Sequence, residues 1–242
     1  MEKTVSTETN AVKAAIEVRD LSVEYHSGGS VVRAVNHVSF TLASGRSLGL
    51  VGETGAGKTS TALALMRLLP ERVSHVPSGE IYLKGDNIMT IPESHMKLMR
   101  GEIISMIFQD PMTALNPIMT VGNQIREAVK IHAGKKMSKA EIDQRVDDVL
   151  EMVGIPAQRK HDYPLQFSGG MKQRVVIAIA LACSPDILIA DEPTTALDVT
   201  IQAQVLALIE ELKQRLGTSM IMISHDLGVV VRTCDDVGIM YA

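Results

Sequence analysis

SLGLVGETGAGKT, residues 47–59, is an apolar run that breaks into glycines and closes on a lysine and a hydroxyl. Gly52, Gly57, Lys58 and Thr59 fall on the pattern G-x-x-x-x-G-K-[ST], which marks a phosphate-binding loop set between a strand and a helix. The strand is SLGLV, and the helix-prone TALALMRLL follows from Thr61. Glycines let successive backbone N–H groups turn inward toward phosphate oxygens, and the helix adds its positive end. Glu53, Thr54, Gly55, Ala56 and Ser60 complete the expected cradle. Lys58 is expected to reach the β- and γ-phosphates of a nucleotide, and the Thr59 hydroxyl to ligate Mg²⁺.

Working outward, three later stretches carry chemistry of the same kind. ILIADEP, residues 187–193, places Asp191 and Glu192 at the C-terminal end of an apolar strand, where ligands of parallel α/β sheets gather. Asp191 is expected to hold Mg²⁺ through its water shell, and Glu192 to orient or deprotonate the water that attacks the γ-phosphate. His225 follows SMIMIS and Gln109 follows IISMIF, so both are expected on the same rim. His225 could contact the γ-phosphate or the attacking water. The Gln109 amide could bind Mg²⁺ or water and report nucleotide state to a neighbouring lobe. The third stretch, FSGGMKQR at 167–174, puts Ser168, Gly169 and Gly170 before a helix expected from about Met171 to Cys183, where backbone donors suit an anion.

Between these stretches the pattern alternates from Ile16 to Ala43 around Gly28-Gly29-Ser30, which reads as antiparallel strands; GEIYLKGDNI adds a strand and turn. IISMIF is nearly continuous in apolar residues, as suits a strand covered on both faces. Helical texture follows Gln109. Ser138 and Glu141 form a capping box, and Ile142, Val146, Val149, Leu150 and Val153 share one helical face. ILIA, the helix VTIQAQVLALIEELKQRL closed by Gly217, SMIMIS and DVGIMY complete an alternating β/α core.

The chain has 242 residues, enough for one large α/β domain with an inserted lobe, and 24 basic against 28 acidic residues leave a net charge of −4. That balance gives no general electrostatic reason to expect nucleic acid. Two cysteines far apart suggest a reducing compartment and no disulfide framework. No apolar run is long enough to span a bilayer, and MEKTVSTETN lacks the apolar segment of a secretory signal, reading as a polar tail.

FSGGMKQR resembles the signature motif of ATP-binding cassette proteins, with Phe167 and Met171 in place of the commoner Leu and Gln. The resemblance runs from Tyr25 to the final strand. It implies a P-loop NTPase (RecA-like) core of α/β class with an antiparallel β subdomain and an inserted α-helical subdomain. The corresponding division is a disordered tail at 1–15, core at 16–108, helical subdomain with signature at 109–172 and core again at 173–242. In family terms Tyr25 matches the aromatic that stacks on adenine, Asp198 the dimer-contact loop and His225 the switch histidine. The family also implies a head-to-tail dimer in which Ser168 and Gly170 contact ATP held by the partner's phosphate loop.

QDPMTALNP, FSGGMKQR and ADEPTTALDVTIQAQVL look like the peptide and nickel importer branch. The resemblance implies an ATP hydrolase subunit of an importer for oligopeptides or dipeptides, or alternatively for nickel, peripheral on the cytoplasmic face of the cell membrane. Its implied partners are two membrane permeases, a second ATP-binding subunit (homo- or heterodimer) and an extracellular solute-binding protein, with no nucleic acid. A permease coupling helix is expected near Gln109–Pro117. Family chains continue beyond a strand like DVGIMYA, so a fragment is expected here. Against a DNA-repair or ribosomal ATPase stand the short helical stretch and the single cassette; against a non-enzymatic nucleotide sensor stand Glu192 and His225.

Overall fold

In a computed structural model, which describes residues 14–133, 137–195 and 197–241, the alternating segments either side of Gly28-Gly29 pair as antiparallel strands β1 (Ala14–Ser27) and β2 (Ser30–Ala43). β4 (Ser74–Leu83) pairs on the other side of β1 and carries the short β5 (Asp86–Asn87), giving the order β2-β1-β4-β5. Ala14 and Ala15, expected in the tail, open β1 because Ala14 pairs with Ala43; the rest of that tail lies outside the described residues.

The second sheet has the order β6-β7-β8-β3-β9, all parallel: β3 (Ser47–Gly52), β6 (Ile104–Ile107), β7 (Ile187–Asp191), β8 (Ser219–Ser224) and β9 (Asp236–Met240). Strands buried on both faces read as continuous apolar runs, and alternate residues serve two cores. Met220 and Met222 face one core, Ile221 and Ile223 the other. The Ile221 side is closed by the antiparallel sheet, α1 (Lys58–Leu65) and α2 (Glu93–Glu102). The Met220 side is closed by α4 (Val121–Ala133), α5 (Lys139–Met152), α6 (Gly169–Leu181) and α7 (Val199–Leu216).

The chain between β6 and β7 is helical: α3 (Pro111–Ala114), α4, α5, two 3-10 turns at Ala157–His161 and Pro164–Gln166, then α6. The capping box is present, with Ser138 accepting from the Glu141 N–H, and Ile142, Val146, Val149, Leu150 and Val153 are all buried. Arg126 pairs with Asp143 at 2.7 Å and Lys160 with Asp147 at 2.6 Å, tying the lobe to itself.

Two helices start earlier than their apolar patterns indicate. α1 begins at Lys58, three residues before Thr61, because Gly57 caps it in the left-handed region at φ 87°. α6 begins at Gly169, since the Ser168 hydroxyl caps it by accepting from the Met171 N–H. A further helix, α8 (Leu227–Thr233), separates β8 from β9 and is capped by Asp226. Because β3, β6, β7 and β8 are parallel, the segments following all four emerge at one edge.

Candidate active site

At that edge Gly52–Gly57 wraps a cleft of about 540 Å³, lined by Thr54, Gly55, Gly57, Lys58, Thr59 and Ser60 from the loop and helix. Gln109, Glu192 and His225 line it from the ends of the other strands, and Val32 and Ala34 from the antiparallel sheet. Gly57 cannot be replaced without movement: a Cβ there would stand 2.0 Å from the Ala34 carbonyl oxygen, and its φ is positive. The first turn of a helix leaves backbone N–H groups without partners inside the helix, and Lys58, Thr59 and Ser60 of α1 line the cleft, which suits phosphate oxygens.

Lys58 is only 6% exposed, and its ammonium donates to the carbonyls of Gly52 (2.6 Å) and Glu53 (2.9 Å). The lysine is therefore held against the loop it follows. Tyr25 is half-buried with its hydroxyl 3.2 Å from the Ser60 oxygen; its cross-strand partner Val32, not Tyr25, lines the cleft.

Glu192 has the left-handed conformation (φ 45°), which is uncommon for a non-glycine residue and turns its carboxylate back over the cleft. Three groups hold that carboxylate. The Gln109 amide donates at 2.9 Å, the Thr195 hydroxyl donates at 2.9 Å, and His225 Nδ1 stands 3.4 Å away. Gln109 thus meets Glu192 directly. Thr195 is the site residue that motif reading passes over; its signal is a hydroxyl three residues beyond the glutamate, on the turn before α7. His225 is 65% side-chain exposed, free to turn toward a ligand.

Asp191 lies beneath, 2% exposed. Burial raises its carboxyl pKa, a hydrogen bond with Thr59 lowers it, nearby Glu192 raises it, and Lys58 lowers it. Its Oδ1 is buried without a hydrogen-bond partner. A desolvated carboxylate oxygen beside a hydroxyl is a hard-oxygen donor set, and it fits a magnesium ion completed by water and phosphate.

The signature residues lie elsewhere. Ser168 caps α6, Gly170 packs so closely on α7 that a Cβ would stand 2.7 Å from Ile201, and Asp198 caps α7 through the Ile201 N–H. None of Ser168, Gly169, Gly170 or Asp198 lines the cleft. Arg159 steadies the approach: it pairs with Asp162 at 2.7 Å and covers the Phe167 ring at 4.3 Å.

The family model described as ABC transporter matches residues 35–195, from β2 through the phosphate loop to Thr195. The chain belongs to the ABC transporter family. This ABC chain is 52% identical over 229 residues to a probable peptide ABC transporter ATP-binding protein of Sinorhizobium fredii, covering 94% of the chain and 68% of that protein. It is 50% identical to the dipeptide transport ATP-binding protein DppD of Bacillus subtilis (96% and 69% covered), and 48% identical to the oligopeptide transport ATP-binding protein OppD of the same organism (96% and 64%). The chain spans about two thirds of the length of these relatives. Among solved structures, a dimeric bacterial ABC transporter cassette superposes with TM-score 0.81 at 25% identity, covering 93% of this chain and 94% of that one. A dimeric post-hydrolysis cassette bound to ADP and phosphate gives 0.80 at 25%, with the same coverages. Among the described residues no helix of this ABC chain is long and apolar enough to cross a membrane.

Proposed function

We propose that this chain is the ATP-binding and ATP-hydrolysing subunit of an importer for oligopeptides or dipeptides. The observation that carries the chemistry is the Glu192 carboxylate, held over the phosphate loop by Gln109, Thr195 and His225. The cargo class rests on the peptide, dipeptide and oligopeptide names of the relatives.

In this reading the loop N–H groups and Lys58 bind the phosphates, Lys58 exchanging its two carbonyl contacts for phosphate oxygens. Thr59 and Asp191 would hold magnesium, which would supply positive charge to offset that of the β- and γ-phosphates. Glu192 orients a water in line with the γ-phosphate and takes its proton as the water oxygen bonds to phosphorus. The bond to the bridging oxygen breaks, and ADP leaves with the electron pair. His225 and Gln109 fix the glutamate and contact the attacking water or γ-phosphate. Tyr25, whose hydroxyl meets Ser60 beside the cleft, is the residue that would stack on adenine.

Ser168, Gly169, Gly170 and Asp198 stand on an exposed helix-start region outside the cleft, which supports a head-to-tail dimer in which they complete the partner's site. The dimeric cassettes that the fold matches support the same arrangement. Two permeases and an extracellular binding protein complete the transporter, and the chain is peripheral on the cytoplasmic face of the membrane, with residues 109–117 against a permease.

The test is phosphate release by the chain reconstituted in lipid with its permeases and binding protein. Peptides should stimulate release. Stimulation by chelated nickel alone would move the cargo to metal, and absence of magnesium-dependent release would overturn the hydrolase reading.

A further inference from the structure

α6 carries one side chain that the chemistry above does not use. Gln173 is 0% exposed, and neither its carboxamide nitrogen nor its oxygen has a hydrogen-bond partner. Buried polar groups are paired in the great majority of cases, and an unpaired one bears its full desolvation cost, so each exception needs a reason.

The position of Gln173 supplies one. Residues three and four apart share a helix face, so Gln173 lies in a stripe with Gly170, Val176 and Ile177. Gly170 packs on Ile201 of α7, and Val176 lines a groove between Met106 of β6 and Ala114, Ala128 and His132 of the helical lobe. The stripe therefore runs along the boundary where α6 lies between the core and the lobe. α6 itself is fastened to the helical lobe: Arg145 of α5 donates to the carbonyls of Ala182 (2.8 Å) and Leu181 (3.3 Å), and Arg174 donates to the Val153 carbonyl (2.8 Å). α6 is thereby tied to the lobe, and a shift of the lobe against the core would change what the Gln173 amide meets.

We propose that Gln173 is a positioning residue: its amide, unpaired in this arrangement, gains partners when the lobe shifts against the core, favouring the arrangement in which Ser168 and Gly170 meet a partner's nucleotide. This rests on the reading that ATP closes a head-to-tail dimer. An apolar side chain of the same shape removes the penalty here and the gain there, shifting the balance toward the arrangement described.

The experiment compares the parent chain with Gln173→Met and, as a second shape, Gln173→Leu. Three quantities are read: the unfolding midpoint without nucleotide, ATP affinity at low protein concentration, and the kcat of magnesium-dependent hydrolysis. The expected result is a midpoint higher by about 2 °C or more, unchanged ATP affinity, and kcat lower by about tenfold. A lower midpoint in both variants would show the amide already satisfied, for instance by a trapped water, and would overturn the inference. So would a raised midpoint with unchanged kcat. Failure of the parent itself to hydrolyse ATP would instead overturn the reading of the cleft, while the midpoints still report whether the amide is unpaired.

Discussion

The two ends of the nucleotide machinery in this chain are built differently. On the phosphate-loop side four parallel strands deliver Gly52–Ser60, Gln109, Asp191, Glu192 and His225 to one edge, where Gln109 and His225 already meet the Glu192 carboxylate. On the signature side Ser168, Gly169 and Gly170 open α6, cap it and pack on α7, and meet no acidic or phosphate-binding group within the described cleft. The first arrangement is preorganised within one chain, while the second offers a helix start whose use requires something from outside. The contrast teaches that a convergence of motifs in sequence is not a convergence in one subunit.

The sharpest way to break the comparison is Glu192→Gln. If the loop side is the complete half, this change should leave ATP binding intact and lower hydrolysis by about 10²–10⁴-fold. Hydrolysis at the parental rate would remove Glu192 from the role of base.

Gly170→Val probes the other half. Its added carbons meet Ile201, since even a Cβ at this position would stand 2.7 Å from that side chain, so overpacking should cost about 1–3 kcal/mol. ATP binding by the isolated chain should survive and ATP-driven dimer formation, read by sedimentation, should be lost. Loss of nucleotide binding at low protein concentration would merge the two halves into one site.

A smaller effect is expected from Thr195→Val, which removes one donor to the Glu192 carboxylate and retains the shape of the side chain. A hydrogen bond to a charged group contributes about 1.5 kcal/mol or more, so kcat should fall by about tenfold with little change in KM. A changed KM alone would place Thr195 in binding rather than in holding the glutamate.

The smallest effect lies at the opposite edge of the loop side. Asp235 accepts from the Ser47 hydroxyl and N–H at 2.7 Å and pairs with Lys213, and these bonds lower its pKa from 3.8 to about 2. A depressed carboxyl stabilises the fold above its unfolded pKa and loses that contribution as pH falls through its folded one. With the Asp235 side chain 43% exposed, solvent screening keeps the contribution to about 1 kcal/mol at most. Asp235→Asn should therefore be less stable than the parent at pH 6, and the difference in urea midpoint should close between about pH 4 and pH 2. A difference that persists unchanged at pH 2 would mean that the asparagine costs stability for a reason other than charge.

Much of this was legible along the chain because the relevant physics is local. The phosphate loop, the capping box at Ser138 and Glu141, and the apolar strands before Gln109, Asp191 and His225 all appear where their patterns indicate. The helices α2 and α8 do not stand out along the chain, although each carries a local signal. Pro92 and Glu93 open α2, and Asp226 caps α8 by accepting from the Gly228 and Val229 N–H groups. Both are short and lack a long apolar stripe, so periodicity has little to report. Thr195 escaped for another reason: a hydroxyl in a turn means nothing until its distance to a carboxylate is known.

The motifs are written locally, because the phosphate loop needs its glycines, its lysine and its hydroxyl within a few residues of one another, and the acidic pair needs an apolar strand immediately before it. The company those groups keep comes from packing. Strand order β6-β7-β8-β3-β9 is a long-range property, set by which faces bury against the two cores, and it puts Gln109, Thr195 and His225 around one carboxylate across 116 residues of chain (225 − 109). The same packing leaves Asp191 Oδ1 and the Gln173 amide without partners. Whether a buried polar group is satisfied depends on every element around it, and no local pattern in the chain carries that information.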